Sequence, residues 1–87
     1  MSNLTIYLPE ISDVSEFVNI MGHFPFEAKL TVGSYAVDAK SIMGIFTLDR
    51  EQPIALIADT TDENLLSQLS RAIDRFLYKP VHFSAGA

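Results

Sequence analysis

The sequence predicts an α+β domain of the open-faced β-sandwich class, a layer of four strands carrying its helices on one side. Three observations lead there. Segments of period two and segments of helical period follow one another in the order β-α-β-β-α-β-α. Two of the strand-like segments are joined by the two-residue turn Gly33-Ser34, the kind that closes a hairpin. A chain of 87 residues makes one domain, residues 1–87 with 79–87 as a C-terminal tail, and its helices can all lie on one face of the sheet.

Each element has its own signal. Leu4-Thr5-Ile6-Tyr7-Leu8 alternates and is rich in β-formers, and Pro9 stops it. Ser12 or Asp13 is expected to cap the helix that follows. Val14, Phe17, Val18 and Met21 form its apolar face, and Gly22 ends it. His23-Phe24-Pro25-Phe26 connects to the hairpin of Ala28–Val32 and Tyr35–Asp38. Ser41 caps a short helix running to about Leu48, and the polar stretch Asp49–Pro53 is a loop. Ile54–Ala58 is almost continuously apolar and reads as a well-covered central strand. Thr60 with Glu63 fits a capping box for the longest helix. Its broad face is Leu65, Leu66, Leu69, Ala72, Ile73, Phe76 and Leu77, and Pro80 is expected to end it. Val81-His82-Phe83 is a short apolar tail that packs back or engages a partner.

Composition narrows the function. Apolar residues make up 48% and charged residues 20%, which places the chain among globular domains. A domain this size buries roughly 60–65% of the surface it exposes unfolded, so the core has little to spare. Cysteine is absent, which excludes disulfides and thiolate metal sites. No apolar run approaches the ~18 residues of a membrane span, and no basic-then-apolar leader opens the chain. A cytoplasmic location follows by default. The net charge of −5 repels phosphate backbones, so direct nucleic-acid binding is not expected. Arg71, Arg75 and Lys79 read as complements to the negative end of the last helix. The two histidines, His23 and His82, have no neighbouring ligands and read as ordinary surface or packing residues. Glu10, Asp13 and Glu16 read as charges gathered at a helix start. Phe24-Pro25-Phe26 reads as core edge, with self-association as the minor alternative. No metal site, phosphate loop or nucleophile elbow is present, so neither a cofactor nor enzymatic activity is expected.

The stretch Lys40-Ser41-Ile42-Met43-Gly44, with Thr47-Leu48 beyond it, resembles the KSIMG segment of HPr, the histidine-containing phosphocarrier of the bacterial sugar phosphotransferase system. Gly33-Ser34 sits where that family has its hairpin turn, and Asp62-Glu63-Asn64 resembles the start of its last helix. The resemblance runs from about Leu30 to Leu77. It implies a four-stranded antiparallel sheet with three helices on one face. It also implies what is missing. The family carries its phosphate on a histidine in a Gly-x-His-Ala-Arg-Pro segment before the first helix. Here that region is Pro9-Glu10-Ile11-Ser12-Asp13, a few residues shorter, without histidine or arginine and with added negative charge. The chain therefore reads as an HPr-like protein that is not a phosphocarrier.

The resemblance singles out Ser41, where many family members are phosphorylated by a dedicated kinase. A phosphoserine at a helix start meets free N–H groups; the alternative is a helix cap alone. The arginine that helps a repressor read the family's phosphoserine is absent. Ile42, Met43 and Phe46 fall together on the short helix, where the family docks partner proteins. Ile42 and Phe46 read equally as core, whereas Met43 leans towards interface on the resemblance. The first reading is thus a regulatory or protein-binding module whose partner is a transcriptional regulator, a kinase or a phosphotransferase component. The rivals are an unconventional phosphocarrier and a structural or oligomerisation domain that forms homodimers through its tail or a strand edge.

Overall fold

The computed structural model describes residues 2–78. The elements are β1 (Ser2–Ile6), α1 (Ile11–Met21), β2 (Ala28–Val32), β3 (Tyr35–Asp38), α2 (Ile42–Phe46), β4 (Ile54–Ala58) and α3 (Glu63–Ala72), followed by a 3₁₀ turn at Asp74–Phe76. The strands form one antiparallel sheet in the order β1-β4-β2-β3. This is the α+β open-faced sandwich expected from the sequence.

Alternation along the strands sets the two faces. Leu30, Ile54 and Leu56 are fully buried beneath the helices together with Ile6. The helices answer with Val14, Phe17 and Met21 from α1, Ile45 from α2 and Leu69 from α3. Among the described residues the buried set holds no polar or charged side chain, so packing alone supplies the core's stabilisation. The other face carries Thr5, Ala55, Thr31 and Ala36 in one cross-strand row. β4 is central, as expected, but only its Ile54-Leu56-Ala58 side is fully covered; Ala55 and Ile57 are half-buried.

The hairpin closes as read. Val32 pairs with Tyr35, and Gly33 adopts φ 60° while Ser34 keeps negative φ. Positive φ at only the first central residue is the requirement of a type II′ turn, and glycine meets it without a Cβ penalty.

Several boundaries differ from the expectations. β1 begins at Ser2 and leaves the sheet after Ile6, because β4 pairs it as far as Ser2 opposite Ala58. Leu8 lies beyond the strand yet is fully buried. The cap of α1 is Glu10, not Ser12 or Asp13. Asp13 sits inside the first turn and accepts a hydrogen bond from the Glu10 N–H at 3.1 Å. Gly22 ends α1 without entering the left-handed region; its φ is −62°. The cap of α3 is Asp62, whose Oδ1 accepts from the N–H groups of Asn64 at 2.9 Å and Leu65 at 3.2 Å. Thr60 Oγ1 accepts from the Asp62 N–H instead of capping the helix itself. Asp62→Ala is expected to lower stability by about 1 kcal/mol, read as a lower urea midpoint with an unchanged m-value.

α3 also stops earlier than expected. It ends at Ala72, and the chain tightens into the 3₁₀ turn before Leu77 bridges to Ile6. Ile73 and Phe76 are buried as their spacing implied, but Ala72 is exposed. An apolar period of three to four residues fits an α-helix and a helix tightening into 3₁₀ equally well, so the pattern marked the face and not the helix end. Arg75 sits in that turn rather than on α3 and reaches Asp13 and Glu16 of α1. Arg71 lies in the last turn of α3, as the charge argument required. Lys79, Pro80, Val81, His82 and Phe83 lie outside the described residues.

Candidate functional site

α2 is five residues long and packs over β3. Ser41 precedes it with extended backbone, and its Oγ accepts from the Gly44 N–H at 3.1 Å. Ser41 is half-buried, and Ile45 on the inner side of α2 is fully buried. The other three apolar side chains point outward: Met43 is 74% exposed, Ile42 37% and Phe46 36%. The structure thus brings Ser41, Ile42, Met43 and Phe46 together on one short element. Ile42 and Phe46, each a little over a third exposed, lie outside the fully buried set.

Two residues that sequence reasoning passed over join this surface. Tyr35 of β3 is 53% exposed, and its hydroxyl is 3.1 Å from Thr47 Oγ1. Thr47 donates its own proton to Gly44 O at 2.6 Å, which leaves the tyrosine hydroxyl as donor in that pair. Arg50, in the loop after α2, lies 5.3 Å from the centroid of the Phe46 ring. Its Nη1 donates to Leu8 O at 3.2 Å and Pro9 O at 3.3 Å. One side chain therefore ties the α2 surface to the β1–α1 segment, a link of some forty residues with no local sequence signal. Tyr35 did leave a signal: a large side chain beside the turn of a strand at the sheet's edge. Lys40 is held away from the patch, its Nζ donating to Phe24 O at 2.8 Å.

At the start of α1 the geometry does not assemble acid–base chemistry. Asp13 and Glu16 both face the Arg75 guanidinium, with Arg75 Nη1 3.6 Å from Asp13 Oδ1 and Nη2 on the Glu16 carboxylate. That guanidinium also covers the Phe76 ring at 4.0 Å. Ile11 is 66% exposed beside them. Shallow hollows of about 660 and 380 Å³ flank Tyr7 and Pro9, one lined by Arg50 and the other by Arg75. His23 lies at the end of α1 with Nδ1 2.8 Å from Asn19 O, a helix-terminal contact. Phe24 and Phe26 meet at the core edge with ring centroids 5.5 Å apart and planes tilted by 48°, and Phe26 is buried. Among the described residues no group of histidines and carboxylates could hold a metal ion, and no helix is long and apolar enough to cross a membrane.

The fold is HPr-like. The chain superposes on the crystal structure of HPr-C-His from Thermoanaerobacter tengcongensis with a TM-score of 0.68 and 27% sequence identity, covering 85% of this chain and 92% of that one. No family model matches the sequence, and no curated protein matches it. The structural likeness, at that identity and coverage, supports a relation to the HPr proteins of the phosphotransferase system.

Proposed function

We propose that this chain is an HPr-like, non-phosphocarrier protein that binds a protein partner through α2, with Ser41 as a regulatory phosphorylation site. The observation that carries the reading is the division of α2 itself. One apolar side chain is fully buried while three adjacent ones stand exposed around the Ser41 cap. A cluster containing a mostly exposed methionine and an aromatic is costly to leave in water and suits an adaptable docking surface. The likeness to an HPr structure adds support, and the partner classes it suggests are a kinase, a transcriptional regulator or a phosphotransferase component. The residues at the start of α1 support the non-carrier half of the reading. Pro9, Glu10, Ile11, Ser12 and Asp13 include no imidazole to take a phosphoryl group and no arginine to hold one.

Phosphorylation at Ser41 would move the γ-phosphoryl of ATP to Oγ, release ADP and pass the hydroxyl proton to the kinase. The added charge, about −1.5 to −2, would stand beside Ile42 and Met43 and change what that surface accepts.

The test uses an HPr serine kinase as both modifier and partner. Incubation with ATP is expected to add one phosphoryl group, mapped to Ser41 and lost in Ser41→Ala. Met43→Asp is expected to leave stability within about 0.5 kcal/mol while lowering kcat/KM for this phosphorylation roughly tenfold or more. An intact, folded protein that takes no phosphate would remove Ser41 from the reading. Unchanged kinetics in Met43→Asp would remove the patch as the kinase's docking surface. Label transfer from phosphoenolpyruvate through enzyme I would overturn the non-carrier assignment.

A further inference from the structure

The two edges of the sheet are treated differently. At the β1 edge, Tyr7 N–H donates to Phe76 O and Tyr78 N–H to Thr5 O, both at 2.8 Å, so residues 76–78 cover the Thr5–Tyr7 end of it. The β3 edge has no such cover among the described residues. Which of its backbone groups face outward follows from the register. Lys29 lies opposite Asp38, and the Ala39 N–H donates across to Ala28 O at 3.0 Å. That bond marks Lys29–Asp38 as a wide pair of the ladder, so Asp38 and, two residues earlier, Ala36 direct their N–H and C=O away from β2. The Asp38 carbonyl is taken by the Ser41 N–H at 3.1 Å. The Asp38 N–H and both Ala36 groups remain facing outward.

We propose that this edge pairs with the same edge of a second copy, antiparallel and centred on Ala36, joining the two sheets into one. The inference does not rest on the regulatory reading. It rests on the self-complementarity of the register. With Ala36 opposite the partner's Ala36, the two-fold axis passes between two small uncharged side chains that exchange both backbone bonds. Asp38 N–H then meets the partner's Ser34 carbonyl, and each Asp38 side chain lies opposite a serine rather than another carboxylate, with Lys29 beside it in its own chain. On the helix side, Tyr35, which is 53% exposed, comes opposite the partner's Val37. β3 is protected only by its shortness among the described residues: it carries no lysine or proline to block pairing. A two-fold pairing of this kind is closed, so it yields a dimer rather than a fibre. With four residues per strand the contact falls below the ~1,200 Å² of stable interfaces, which makes the dimer weak and reversible.

Sedimentation of the full chain from about 10 μM to about 1 mM, a range that brackets weak association, should show a monomer–dimer equilibrium. Exchange of the Ala36 amide should slow as concentration rises. Ala36→Pro removes the outward N–H and leaves the ladder to β2 intact. Ala36→Lys sets two ammonium groups face to face. Each is expected to raise the dissociation constant about tenfold or more, a change of ~1.4 kcal/mol, with an unchanged circular dichroism spectrum. A monomer throughout the range would overturn the proposal. So would association that both substitutions leave within about twofold, or that Ala36→Lys alone weakens, since the latter marks a contact between faces rather than between edges.

Discussion

Phe17→Ala is expected to cost about 3–5 kcal/mol. Phe17 is fully buried on α1, and its ring meets that of Phe76 edge-on, at 6.1 Å and 86°. Phe76 belongs to the 3₁₀ turn that precedes the Leu77–Ile6 bridge. Removing the ring therefore opens a cavity between α1 and the segment that covers the β1 edge. A domain of 87 residues has a total stability of about 4–13 kcal/mol, so the variant should lose about a quarter of it or more. Urea titration should show a large drop in midpoint, with fraying first at residues 76–78. Phe76→Ala should cost a similar amount. The double variant should fall short of the sum by about 0.5–1.5 kcal/mol if the edge-to-face contact contributes as such pairs do. Strict additivity would mean that the two rings act as independent fillers.

The fold is largely legible in the sequence where local periodicity marks a buried face, and legibility ends where long-range contacts decide. Phe17, Met21, Leu30 and Leu69 are legible from period alone, because a buried face leaves its mark every second or every third to fourth residue. Gly33 was placed by backbone chemistry, since only glycine enters positive φ without cost. The caps were harder. Asp62, Thr60 and Glu63 all have side chains that can accept an N–H bond at a helix start. Which one caps is decided by where the chain turns, a difference of one or two residues that propensity does not resolve. The end of α3 was set by a non-local demand, the burial of Phe76 against Phe17 and the bridge of Leu77 to Ile6, and no window along the sequence contains that information.

At the site, exposure rather than identity was the missing quantity. Ile42, Met43 and Phe46 are spaced to fall together, but spacing does not say whether the face they share looks in or out. Ile45 resolves it by occupying the inner position of α2. Arg50 stayed invisible because its partners, Leu8 O, Pro9 O and the Phe46 ring, are brought to it by the tertiary fold. A contact of this kind holds the α2 surface against the start of α1, and its worth lies in that geometry more than in its energy, which for a partly exposed cation–π pair is about 0.5–1 kcal/mol.

Gly44→Ala is expected to destabilise the protein by about 1–2 kcal/mol, although alanine is the better helix former by ~1 kcal/mol. A Cβ at this position would lie 3.1 Å from Ser41 Oγ and 3.3 Å from Val37 Cβ. The serine oxygen could rotate aside only by giving up its bond to the Gly44 N–H, a cap worth about 1 kcal/mol. Val37 has less freedom, since β3 is fixed by its ladder to β2. Either α2 or β3 must then give by a few tenths of an ångström, at the cost of about 1–3 kcal/mol typical of overpacking. Ser41→Gly separates the two contributions, because it removes both Ser41 atoms that the new methyl would meet. If the serine contact dominates, Gly44→Ala becomes neutral or stabilising in that background. If the strand contact dominates, the penalty persists there. The first outcome would make Gly44 the residue that keeps Ser41 capped and the second would make it the residue that seats α2 on β3, and a chemical-denaturation cycle on the four proteins distinguishes them.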